Sequence, residues 1–240
     1  MANIVEQSLF YFRKPKTVLI HVGKCGGGTL QKTLSQDPRN IRFYSFHVEK
    51  PIYRAKDQYY ILARDPISRS ISAFNWRYKL VAETRQQAER FAGEYHVLCK
   101  YKTLNNIAEC LYDENGAPNQ KVMTEFDCIH HLKEDISFYL KEFLDKCPVE
   151  KIRGVLMQES LNTDMQRFFS LSSEEIGHDK HNSSPHDKRL TARARKNLVR
   201  YLEDDYHCLF KLHNMGLISD NAMFNIYQNA MVDTKADAYV

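Results

Sequence analysis

A short apolar run, TVLIHV (Thr17–Val22), leads into GKCGGGT and then into a segment of helical character beginning at Thr29. This order of strand, glycine-rich loop and helix constrains the chain more than any other feature. The run is β-branched, preceded by Lys-Pro-Lys and followed by a glycine turn, so it reads as a buried, parallel strand. Nine glycines serve 240 residues, yet Gly26, Gly27 and Gly28 stand side by side. A loop that leaves a buried strand and enters a helix gathers unpaired N–H groups at one point. The helix dipole adds positive potential there, so the place suits an anion, most often phosphate. Glycine lets the backbone approach a ligand and adopt positive φ. Lys24 adds a full charge, and Thr29 a hydroxyl at the helix start. A tight turn holding nothing would pay the entropic cost of three glycines for no gain, so phosphate binding is the expected role.

Further strands are expected at IRFYSFHV (Ile41–Val48), QYYILA (Gln58–Ala63) and GVLMQ (Gly154–Gln158). Asp65-Pro66 announces a helix, because Asp is a good N-cap and Pro is favoured at the first helical position. Ile67, Ile71, Phe74 and Tyr78 then form one apolar stripe. About 81–145 reads as a mainly helical insertion, broken by a turn at Asp113–Asn119. A helix is expected near Thr163–Phe169, and residues 170–189 form a long polar loop of the kind that is usually functional. The stretch from Thr191 to Leu212 reads as one helix with Leu198, Leu202, Tyr206 and Leu209 on a face, and a shorter helix follows from Ser219. Strands alternating with helices imply an α/β fold in one domain spanning 1–240, its central parallel sheet covered on both faces.

Composition narrows the function. A net charge of +4 without a dense Lys/Arg block suits an anionic ligand in one site and argues against a nucleic-acid track. No apolar run approaches the roughly 18 residues a membrane helix needs. The N-terminal stretch does not read as a secretory signal. Six dispersed cysteines then read as free thiols, which places the protein in a reducing cytoplasm.

YYILARDPISRSISAF supplies a second anchor. Arg64 stands at the end of the third strand beside a helix N-terminus, where its guanidinium suits phosphate oxygens; Ser72 offers a hydroxyl two turns in. Taken alone, Arg64 could be a structural ion pair, and that bland reading is preferred for Arg69. Two anion sites at the ends of neighbouring strands imply a ligand with phosphates at two ends. The triphosphate loop G-x-x-x-x-G-K-[ST] places lysine after its glycines; here Lys24 comes first, and no strand ends in an isolated metal-binding aspartate.

HVGKCGGGTL and RDPISRSISAF together resemble the two cofactor motifs of the sulfotransferases that use 3′-phosphoadenosine 5′-phosphosulfate (PAPS). The likeness is closest to the carbohydrate-modifying branch, whose first loop commonly reads H-[IVL]-P-K-T-G-G-[ST]-[ST]. VLMQESL (Val155–Leu161) resembles the later strand and E-x-L turn of that family. The resemblance implies a three-layer α/β/α fold with a central parallel sheet, like that of P-loop NTPases, with extra helices. It further implies metal-free, in-line sulfuryl transfer from PAPS to a hydroxyl acceptor, in this branch a glycan. By position the loop Lys24, Cys25, Gly26, Gly27, Gly28, Thr29 and Leu30 would bind the 5′-phosphosulfate, with Arg64 and Ser72 on the 3′-phosphate. Cys25 and Gly28 stand where the family has hydroxyl residues, and Gly23 replaces its proline.

The acceptor hydroxyl must lose a proton as it attacks sulfur, so a base is expected near the first loop. His47, at the end of the second strand, is the first candidate; its unperturbed pKa near 6.5 suits neutral pH. Glu49 is the alternate base or an orienting partner. Lys24 would stabilise charge on the leaving oxygen. His178, His181 and His186, with Asp179 and Asp187, match no compact zinc pattern, so no metal is expected. Two other readings remain open: a P-loop kinase for a small metabolite, and a non-catalytic nucleotide-binding protein of the same fold.

Overall fold

The structure is a computed structural model that describes residues 14–39, 41–176 and 188–231. Its centre is a four-stranded, all-parallel sheet of order β2-β1-β3-β4. The strands are β1 (Thr17–His21), β2 (Tyr44–Phe46), β3 (Gln58–Ala63) and β4 (Ile152–Met157). Val18 to His21 are all buried. Consecutive strand residues point to opposite faces, so both faces of β1 are covered, which its unbroken apolar run requires.

Ten α-helices occur among the described residues. Helix α1 (Gly27–Gln36) follows β1, and α2 (Pro66–Arg77) follows β3 and runs on into a π-helical turn, Tyr78–Glu83. The middle region holds α3 (Glu94–Tyr101), α4 (Leu104–Glu109), α5 (Gln120–Asp127) and α6 (Ile136–Lys146). After β4 come α7 (Leu161–Phe169), α8 (Ala192–Tyr201), α9 (Glu203–Asn214) and α10 (Asp220–Met231). Helices α1, α6, α7, α9 and α10 share a hydrophobic cluster with the sheet. A second cluster joins α2 to α3, α4, α5 and α8; the stripe residues Ile67 and Phe74 are buried there, with Ile71 and Tyr78 packed against it.

Two expectations are corrected. The strand expected over Ile41–Val48 narrows to Tyr44–Phe46, because β2 is an edge strand paired with β1 at only three positions. The helix expected across Thr191–Leu212 divides at Leu202, whose ψ of 21° leaves the helical range. Glu203, Asp204 and Asp205 then open α9, three acids where the dipole favours them. The turn at Asp113–Asn119 is present, closed by the Asp113 carboxylate accepting from the N–H groups of Asn115 and Ala117.

The strand order positions the site. From β1 the chain crosses to β2 on one side; from β3 it crosses to β4 on the other. The loops after β1 and β3 therefore part at the carboxyl ends of adjacent strands, where an open parallel sheet forms its ligand crevice.

Candidate functional site

The crevice is lined by the two segments singled out in the sequence. Arg64, one residue past β3, donates from Nη1 to the carbonyl oxygen of Lys24 at 3.1 Å. Lys24 holds a left-handed backbone (φ 69°), and Gly26 follows with φ 89° as the N-cap of α1. No side chain caps this helix. Its first N–H groups therefore face the crevice without a capping partner. Burial, then Arg64, pushes the Lys24 ammonium down to about 8. Its Nζ lies over the indole of Trp76 on α2, 4.3 Å from the ring centroid.

The three glycines have separate causes. A Cβ on Gly26 would sit 2.7 Å from Leu161 and would require a left-handed backbone. One on Gly27 would fall 1.8 Å from Nε2 of His21, inside that ring, whereas one on Gly28 would meet nothing within 4 Å. Thr29 is half-buried beside it. Cys25 and Leu30, also expected at the cofactor, turn their side chains elsewhere. Both side chains lie in the core at 0 % exposure, and the N–H of Leu30 already donates to Gly26 O. Cys25 can reach a ligand only through its backbone, and burial pushes its thiol up to about 12.

On α2, Asp65 caps the helix by accepting from the N–H of Ser68 at 2.7 Å, and it also accepts from Nδ2 of Asn229 on α10 at 2.6 Å. Glu159, in the turn after β4, accepts from the N–H of Asp65 at 3.0 Å and stands 3.9 Å from Nε of Arg64. The pair is too long for a hydrogen bond. The Nε of Arg64 is buried and has no hydrogen-bond partner among the described residues. Ser72 is half-buried on α2 and makes no hydrogen bond among the described residues. Arg69 is wholly buried; its Nη2 donates to the carbonyls of His131 and Glu134, so it is held by backbone oxygens instead of an ion pair.

His47 is exposed just past β2, with Nδ1 3.2 Å from the carbonyl oxygen of His21. A carbonyl can only accept, so Nδ1 carries a proton, and in the neutral ring this tautomer leaves the lone pair on Nε2. Beneath it the His21 ring stacks at 4.2 Å. Glu49 is exposed, and no hydrogen bond or ion pair joins it to His47 among the described residues, where His47 meets His21 O.

Sequence reasoning missed two histidines here. Burial pushes His21 down to about 4, with His47 and Lys24 adding to the effect. Burial likewise pushes His131 down to about 2, followed by His130 and Lys24. His21 was visible at the end of the strand that opens the motif, but nothing local says that its ring lies under Gly27. His131 comes from the distant α5–α6 turn and carried no signal. His178, Asp179, His181, His186 and Asp187 lie outside the described residues. No protein-family model and no curated protein sequence matches the chain.

Proposed function

We propose that the protein is a PAPS-dependent sulfotransferase acting on a hydroxyl acceptor, a glycan by the character of its motifs, on a three-layer, P-loop-like fold. One observation carries the reading: two motifs 40 residues apart meet in the switch-point crevice, through the contact of Arg64 with Lys24 O. Two cations converge there, and the carboxylate of Glu159 stands 3.9 Å from Arg64, too far to hydrogen-bond it. An anionic ligand would offer an acceptor to the Nε of Arg64, which has no hydrogen-bond partner among the described residues, and would offset the burial and the Arg64 repulsion that depress Lys24. The open face of Gly28 and the uncapped N-terminus of α1 offer N–H groups for the phosphosulfate.

In this reading Lys24 leaves the Trp76 ring to meet charge growing on the leaving oxygen, a contact strongest in the transition state. His47, its tautomer set by His21 O, presents Nε2 as the base for the acceptor proton. Arg64, with the hydroxyl of Ser72 from α2, would hold the 3′-phosphate. Asp65 is engaged as a helix cap, which favours this reading over a kinase that would need a carboxylate for Mg²⁺.

The test is direct. 3′,5′-ADP should raise the melting temperature without metal, and clearly more than 5′-ADP or ATP with Mg²⁺. Trp76 is the only tryptophan, so its emission should shift on the same titration. Arg64→Ala should weaken 3′,5′-ADP by about 2 kcal/mol, the loss of a charge-assisted phosphate contact. His47→Ala should keep nucleotide binding but lose roughly 10²–10⁴-fold in turnover on an acceptor found by glycan screening. Equal stabilisation by 3′,5′-ADP and 5′-ADP would remove the 3′-phosphate from the assignment.

A further inference from the structure

The turn between α5 and α6 gathers His130, His131 and Glu134, whose ligand-capable atoms all lie within 4.8 Å of one another. His130 Nδ1 is 3.0 Å from Oε2 of Glu134. The His130 and His131 rings stand 4.5 Å apart, centroid to centroid. Nδ1 of His131 is buried and has no hydrogen-bond partner. A buried polar atom left unsatisfied costs about 1–3 kcal/mol, so it calls for an explanation. That edge of the ring faces Gly23, where a Cβ would come within 2.8 Å of Nδ1. Glycine at this position keeps the space in front of the orphaned nitrogen open.

We propose that His130, His131 and Glu134 form a site for one zinc-class divalent transition metal, with its fourth position open. Two imidazoles and a carboxylate are a donor set of catalytic zinc centres, which keep one position for water or substrate. In a tetrahedral site with zinc bonds of about 2.1 Å, ligand atoms stand about 3.4 Å apart. The His130–Glu134 separation is already of that order, and the three atoms need only a modest closure.

The backbone behind these ligands is fixed. The N–H of His130 donates to Glu94 at 2.9 Å, and Glu94 is itself held by Arg77. The N–H of His131 donates to Oε2 of Glu134 at 2.7 Å, and Arg69 grips the carbonyls of both residues. His131 is held at φ 68°, a conformation non-glycine residues rarely adopt. Such outer contacts orient ligands in metal sites.

The donor set decides which metal. Lys24 and Arg69 both act unfavourably on a cation beside His131. Mg²⁺ and Ca²⁺ bind chiefly through several oxygen ligands, whereas this donor set offers one carboxylate and two imidazoles, and imidazole selects zinc and its neighbours. A metal here would lie behind Gly23, and the His131 ring is 6.0 Å from that of His47. Occupancy would therefore report on the glycine loop. The site itself rests on geometry that owes nothing to the nucleotide reading.

The experiment titrates the full chain with Co²⁺, a coloured surrogate for zinc, and then displaces it with Zn²⁺. One visible d–d band set without thiolate charge transfer is expected, unaffected by excess Mg²⁺. Glu134→Gln and His130→Ala should each weaken binding by at least about tenfold. A variant with His178, His181 and His186 all changed to Ala should bind like the wild type. X-ray absorption of the wild-type zinc form should count two imidazoles and no sulfur, a readout that does not depend on the variants folding. Absence of Co²⁺ binding, wild-type affinity in Glu134→Gln, or loss of binding in the triple variant would each overturn the site and leave His130–Glu134 as an ion pair only.

Discussion

A Cβ built at Gly27 lands 1.8 Å from the His21 ring, while one at Gly28 meets no atom within 4 Å. Neighbouring positions in one motif thus answer to different forces. Gly27 answers to packing, since the ring its Cβ would meet belongs to the buried His21 and is stacked on His47. Gly28 has no such duty. Gly27→Ala should destabilise the protein by about 1–3 kcal/mol, the usual cost of overpacking. Gly28→Ala should stabilise it by a few tenths to about 1 kcal/mol, because alanine loses less backbone entropy in a helix. Urea midpoints at constant slope check both. Equal destabilisation by the two would mean that Gly28 packs against something too. From sequence the run was legible as a loop built for close backbone approach. Its division was not, because His21 reaches Gly27 only once β1 and α1 are stacked. Leu30 illustrates the converse: membership of a motif pointed it at the ligand, while its apolar chemistry and helical position took it into the core.

At the scale of elements, local signals decided what could be read. The run QYYILA and the Asp65-Pro66 cap are contained in a few residues, and β3 and α2 begin and end where those signals lie. The break at Leu202 was hidden because the apolar spacing continues through it; the three following acids were the signal to weigh. The tie between α2 and α3 had no local signal at all. Arg77 meets Glu94 in two bonds of 2.6 and 2.7 Å, both side chains almost fully buried, and Arg77 also donates to Gln87. Removing one partner would leave the other charge buried. Glu94→Ala should therefore cost about 3–5 kcal/mol, whereas exchanging both residues for well-packed apolar ones should recover most of it. Denaturation of the single and double variants measures the difference. A loss below about 1 kcal/mol in Glu94→Ala would show the pair to be as weak as a surface bridge. The same change should loosen the His130 turn, since Glu94 accepts its N–H.

For the molecule as a whole, buried titratable groups set opposing slopes of stability with pH. His21 is 8 % exposed and pushed down to about 4 by burial. Its unfolded counterpart takes a proton near 6.5. Between those values the unfolded chain binds more protons, so acidification below 6.5 removes about 1.4 kcal/mol per pH unit until about 4. His131 acts in the same direction. Asp205 acts against them. It is wholly buried, and burial, then Asp135, pushes its carboxyl well up; burial raises Asp135 as well. A raised carboxyl binds its proton more tightly in the folded state. Its contribution is complete below the unfolded value near 3.9 and is lost as pH rises through the folded one. Burial of the carboxyl pair therefore costs stability as pH rises, whereas acid favours protonation of the unfolded chain's His21. Asp205→Asn keeps an oxygen able to accept the N–H of Ser137 and removes the charge. The variant should be more stable than wild type at pH 7.5 and should lose stability more steeply on acidification, since only the histidine slope remains. Urea denaturation at pH 7.5, 6 and 5 tests this. Parallel pH profiles in the two proteins would show that Asp205 does not titrate in this window and that the histidines alone shape its acid limb.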